Sequence, residues 1–80
     1  MRKYKNGKKL LQVICNQCNK EMKVENGYLK EGCFQADYVF GYFSKKYGMR
    51  HRFDLCENYY EKMLEKFSIP VEEVREKELL

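Results

Sequence analysis

Four cysteines carry the chemistry this chain has to offer: Cys15, Cys18, Cys33 and Cys56. Cys15 and Cys18 form a Cys-x-x-Cys pair. The residues around them, Asn16, Gln17 and Asn19, suit a tight turn, because Asn tolerates left-handed backbone and bonds to nearby amides. A pair on such a turn presents two sulfurs to one ion. Structural zinc takes four ligands in a tetrahedron, and thiolates are among its preferred donors. Cys56 follows Cys18 by 38 residues, in the first turn of an expected helix. The partial positive charge and free N–H groups there favour a thiolate. Cys15, Cys18 and Cys56 are therefore the candidate metal ligands, with zinc the expected ion. A metal closing a loop of that length would also restrain the unfolded chain.

A fourth ligand is not given by spacing. Tyr59 stands where the second cysteine of a Cys56-x-x-Cys pair would fall. Two substitutes exist. Cys33 has no assigned partner, although a free cysteine also serves as a small buried apolar residue. His51 is the only histidine, and imidazole is a good zinc ligand, although it also reads as a packed or surface residue. Strand alternation puts His51 and Cys56 on opposite faces, which only the turn into the helix could undo.

The elements that must bring these residues together are short. Residues 1–9 read as a loose basic arm, and residues 10–80 as one small domain. Leu10 to Ile14 is an apolar run, expected to be a strand leading into Cys15. Lys20 to Glu25 alternates as one half-buried strand, and Asn26-Gly27 is a strong turn pair. Cys33 to Ser44 reads as a long strand, Lys45 to Gly48 as a turn, and Met49 to Phe53 as the returning strand of a hairpin. Phe34, Ala36, Tyr38, Phe40 and Tyr42 share one face, and the Tyr38, Phe40, Tyr42 stripe is expected to be core or interface. Asp54 fits a helix N-cap, with Glu57 three residues later as a variant capping box. Tyr60, Met63, Leu64 and Phe67 form an apolar stripe, and Ser68-Ile69-Pro70 ends the helix. Pro70 then opens a short second helix, Val71 to Glu78. A knuckle, a hairpin and a ligand on the first helical turn follow the treble-clef order. The expected fold is α+β and treble-clef-like, with antiparallel β-hairpins and one main C-terminal helix.

Composition bounds the function. Eighty residues bury only about 60% of the unfolded surface, so the core needs a metal, a disulfide or a partner to support it. Seven Tyr and five Phe argue for a globular chain. No apolar run approaches the roughly 20 residues of a membrane span, and the run after the basic N-terminus is too short for a signal peptide. A cytoplasmic protein is expected, where cysteines serve as metal ligands or free thiols. The net charge of +4 is uneven: residues 1–52 hold 12 basic and 4 acidic side chains, residues 53–80 hold 4 and 8. Twelve aromatic rings in so short a chain point to a protein-interaction or structural module, with a homodimer or other protein partner covering part of the hairpin. The alternative is a nucleic-acid-binding module using Lys45, Lys46, Arg50 and Arg52 beside Tyr47. No enzyme is expected. His51 and Cys56 are the only possible base and nucleophile, and nothing marks a substrate pocket.

Several segments together also resemble a family. They are Cys15-x-x-Cys18, Gly41-Tyr42-Phe43-Ser44, His51-Arg52-Phe53-Asp54-Leu55-Cys56-Glu57, Tyr60 and Ile69-Pro70-Val71. The pattern is similar to that of small uncharacterised bacterial zinc-ribbon or treble-clef-like proteins, across about residues 13–72. In that group four cysteines are presumed to bind zinc, and no biochemical activity is implied. Tyr59 replaces the fourth cysteine here, so the resemblance implies a bacterial metal-binding module with a degenerate site.

Overall fold

The computed structural model describes residues 1–76. Seven short strands and one helix follow in chain order: β1 Arg2–Lys5, β2 Lys9–Ile14, β3 Glu21–Met22, β4 Val24–Glu25, β5 Tyr28–Leu29, β6 Cys33–Val39, β7 Arg50–Cys56 and α1 Glu57–Glu65. The class is α+β, as expected. Three antiparallel sheets divide the strands, in the orders β1-β2-β3, β4-β5 and β6-β7.

The expected loose arm over residues 1–9 is instead a hairpin strand. Asn6 and Gly7 both take positive φ, at 52° and 69°, and Lys8 donates its N–H to the Lys5 carbonyl. This is the turn geometry whose twist matches two antiparallel strands. It lays β1 along β2, with Arg2 opposite Val13. Asn26 and Gly27 do the same at 51° and 83°, closing β4 on β5 as the sequence predicts.

Lys20 to Glu25 is not one strand. It breaks at Lys23 into β3 and β4, which belong to different sheets. Lys23 donates its N–H to Glu31 Oε2 at 2.7 Å and accepts from the Lys30 N–H at 2.8 Å. Those bonds take the backbone groups that a continuous strand would offer its neighbour.

The long hairpin is real, but its boundaries move. β6 stops at Val39, and β7 runs through to Cys56. Pairing is in register from Cys33 opposite Cys56 to Val39 opposite Arg50. The helix starts only at Glu57, with Cys56 as its N-cap and no side-chain cap bond. Asp54 therefore caps nothing. It sits inside β7, 3% exposed. Backbone bonds from Lys66 to Met63 and from Phe67 to Leu64 tighten the far end, leaving Phe67 outside the helix. Residues 71–76 form no helix. Val71 and Val74 are exposed, and a segment this short needs packing to hold helical shape. Residues 77 and 78 of that expected helix lie outside the described residues.

The core is small: Val13, Cys15, Met22, Leu55 and Cys56, with Tyr59, Tyr60 and Met63 of α1 packed against it. Phe34 stacks on Tyr60 at 4.8 Å, so the helix covers the Cys33 end of the hairpin. It is too short to reach further. Tyr38 and Tyr42 stand exposed, and the expected stripe is not core. No helix among the described residues is long and apolar enough to cross a membrane.

Asp54 is the one buried charge among the described residues. Arg2 Nε donates to Oδ1 at 2.9 Å, and the Met1 ammonium donates to Oδ2 at 2.9 Å. Burial alone would push this carboxyl up. The ammonium and guanidinium outweigh it and hold the carboxyl below its usual range. The stability this gives is full above the unfolded value of about 3.9 and is lost as pH falls through the folded value. Arg2→Ala leaves the carboxylate short of a partner. We expect it to cost about 2 to 3 kcal/mol in urea unfolding at neutral pH, with a shallower acid dependence than the parent. An unchanged midpoint and acid slope would show that β1 is not anchored through this pair.

Candidate metal centre

The turn after β2 is built by its own backbone. Asn19 donates its N–H to the Cys15 carbonyl, and Cys15 to that of Lys20. Asn19 takes a positive φ of 68°, the left-handed conformation expected of Asn in this turn. The turn is tied to β7 by Asn16. Its N–H donates to the Asp54 carbonyl at 2.8 Å, and its Oδ1 accepts the Asp54 N–H at 3.0 Å. Cys56 lies two residues further along β7. This clasp is what sets Cys15 and Cys18 beside it.

The three sulfurs converge. The Sγ atoms of Cys15, Cys18 and Cys56 all lie within 4.8 Å of one another, and those of Cys18 and Cys56 are 3.8 Å apart. Cys15 and Cys56 are buried and Cys18 is half-buried. None of the four cysteines is in a disulfide. A tetrahedral ion bound at about 2.3 Å from each sulfur sets its ligands about 3.8 Å apart, a spacing that the Cys18–Cys56 pair matches.

The electrostatics favour a thiolate at one of the three. Burial pushes the Cys15 thiol up. Backbone N–H groups of Cys56, Cys18 and Gln17 outweigh burial and bring it down to about 7. At Cys18 the Lys20 backbone N–H acts downward, but burial and the sulfurs of Cys15 and Cys56 prevail and raise the thiol. Three sulfurs this close resist holding three negative charges. A divalent cation between them removes that conflict.

The two substitutes for a fourth ligand are placed elsewhere. Cys33 pairs across the strands with Cys56, but its sulfur is not in the cluster. It donates to Asp54 Oδ1 at 3.7 Å and lies 4.0 Å from Arg2 Nη2. Burial, and then the Asp54 carboxylate, push this thiol up, keeping it protonated. His51 is exposed opposite Tyr38, its ring 5.0 Å from that of Phe40 in an edge contact. Alternation along β7 turns it away from the Cys56 side. Tyr59 is half-buried against the core, with Lys62 Nζ 4.7 Å above its ring. The cations read as possible phosphate contacts divide. Arg50 is held by both oxygens of Asp37, at 2.7 and 2.8 Å, whereas Lys45, Lys46 and Arg52 form no ion pair among the described residues.

Sequence reasoning missed Asn16 and Asp54 as the clasp. Asn16 is legible as turn chemistry, but nothing local marks its partner 38 residues away. No family model, curated protein or solved structure matches this chain.

Serine substitutions separate the roles of the cysteines. Cys15→Ser, Cys18→Ser and Cys56→Ser should each weaken zinc binding by more than the roughly 10–100-fold typical of losing a mere supporting group. Cys33→Ser should leave it within about threefold, measured by competition with a chromophoric chelator. Equal losses for all four would place Cys33 among the ligands.

Proposed function

We propose that this chain is a non-catalytic binding module of treble-clef-like build, held in shape by one zinc ion on Cys15, Cys18 and Cys56. The observation that carries the reading is the convergence of three sulfurs from two distant segments, all within 4.8 Å of one another. When bound, the ion would supply a structural cross-link between the turn after β2 and the start of α1. The chain's own residues do the rest. The Cys15 carbonyl closes the turn, Asn16 docks it, and Cys56 presents its sulfur from the N-cap of α1.

A binding role fits what the frame displays. The hairpin projects past the helix and carries rings that the described residues leave exposed. A non-catalytic role fits the separation of His51 from Cys56, the one pair with nucleophile and base chemistry. Four unbridged cysteines suit a reducing compartment, and we place the protein in the cytoplasm. The zinc-ribbon resemblance agrees with this reading, with Tyr59 in the fourth cysteine's place.

Elemental analysis of protein purified without added metal tests the site, with about one zinc per chain expected. Tyr59→Cys supplies a fourth thiol on the first helical turn, beside the cluster. It should tighten zinc by about tenfold or more and exclude other donors from the fourth position. Protein that carries no zinc and takes up none when titrated at neutral pH would sink the reading.

A further inference from the structure

The tip of the β6–β7 hairpin exposes three neighbouring aromatic rings. Phe43 is 98% exposed, Tyr42 75% and Tyr47 64%. Isolated exposed apolar residues are ordinary, but three adjacent rings in water are not. The segment that carries them, residues 38–53, holds four cations, six aromatic residues and no carboxylate.

The rings are also held in place. Beyond Val39 the backbone runs through consecutive turns: Ser44 N–H bonds the Gly41 carbonyl, Tyr47 N–H that of Ser44, Met49 N–H that of Lys46, and Gly48 N–H that of Phe40. Lys46 N–H is taken by Ser44 Oγ at 2.9 Å, and Gly48 provides the positive φ of 82° that the return requires. Tyr42 meets Phe43 and Tyr47 edge-on, at 5.3 and 5.5 Å between centroids. Each edge-on contact covers one face of one ring only, and the exposures leave most of the remaining ring surface open. The tip is therefore an ordered platform of open π-faces beside cations.

We propose that this tip binds single-stranded nucleic acid, with Phe43, Tyr42 and Tyr47 stacking on unpaired bases and Lys45, Lys46 and Arg52 meeting phosphates. Charge complementarity selects a polyanion, because no carboxylate lies in the segment and Asp37 is already occupied by Arg50. The free ring faces select bases that are not already stacked in a duplex. The order of the turns removes much of the entropy cost of fixing the rings. The proposal deepens the binding-module reading and rests on it for the frame that holds the hairpin out.

The test uses the full zinc-loaded chain and a short fluorescently labelled oligothymidylate, followed by anisotropy. Three phosphate contacts give a salt slope of about −2, so affinity should fall about 20-fold between about 50 and 200 mM salt. Phe43→Ala touches only an exposed side chain and should weaken binding about tenfold, with Phe43→Trp restoring it. A duplex of equal length should bind more weakly than the single strand. No binding at low salt, binding indifferent to Phe43→Ala, or a preference for duplex would each overturn the proposal. So would self-association of the parent, by sedimentation without oligonucleotide, that Phe43→Ala abolishes, because the tip would then be a protein contact. Zinc content measured on the same samples keeps the two failures apart: oligonucleotide binding without zinc refutes the metal site and not the tip.

Discussion

Asn16 and Asp54 hold each other in both directions, the amide of each donating to an oxygen of the other. The rest of the molecule depends on this clasp. It fixes the turn that carries Cys15 and Cys18 against the strand that ends in Cys56, across 38 residues of intervening chain. The same Asp54 takes Arg2 and the Met1 ammonium on its carboxylate, which draws β1 into place beside β2. One buried acid thus gathers the first strand, the cysteine turn and the last strand. Its burial would be costly without those partners.

Little else supports so small a core. Five buried apolar residues among those described are few for a chain of this length, and two of them are cysteines of the cluster. Burial alone is marginal at this size. A bound ion would add a cross-link within that core, and its binding energy would become folding energy. The hairpin benefits directly, since β7 carries Asp54, Leu55 and Cys56 at one end and projects the aromatic turn at the other. The buried end is an anchor, and the free end is a display.

Much of this was legible in the chain. Cys15, Cys18 and Cys56 could be grouped from spacing alone, because a Cys-x-x-Cys turn and a helix start are local features. The Asn26-Gly27 turn, the long hairpin and the Tyr60, Met63, Leu64 stripe were equally local. The errors share a cause. Asp54 has the right type and spacing for an N-cap, but a buried carboxylate is decided by Arg2, far away in sequence. The basic arm looked loose because its charge pattern hid the Asn6-Gly7 turn signal. The Tyr38, Phe40, Tyr42 stripe read as core or interface, and it is not core here, because alternation tells which residues share a face, not what covers it. A helix ending at Glu65 cannot reach Tyr38 or Tyr42.

In the proposed site three sulfurs, and not four, share one ion. Zinc K-edge X-ray absorption on the loaded protein reads the first shell directly. Three sulfurs at about 2.3 Å and one lighter donor at about 2.0 Å are expected. A four-sulfur shell would bring Cys33 into the site and contradict the geometry described. A shell without sulfur would remove the site altogether.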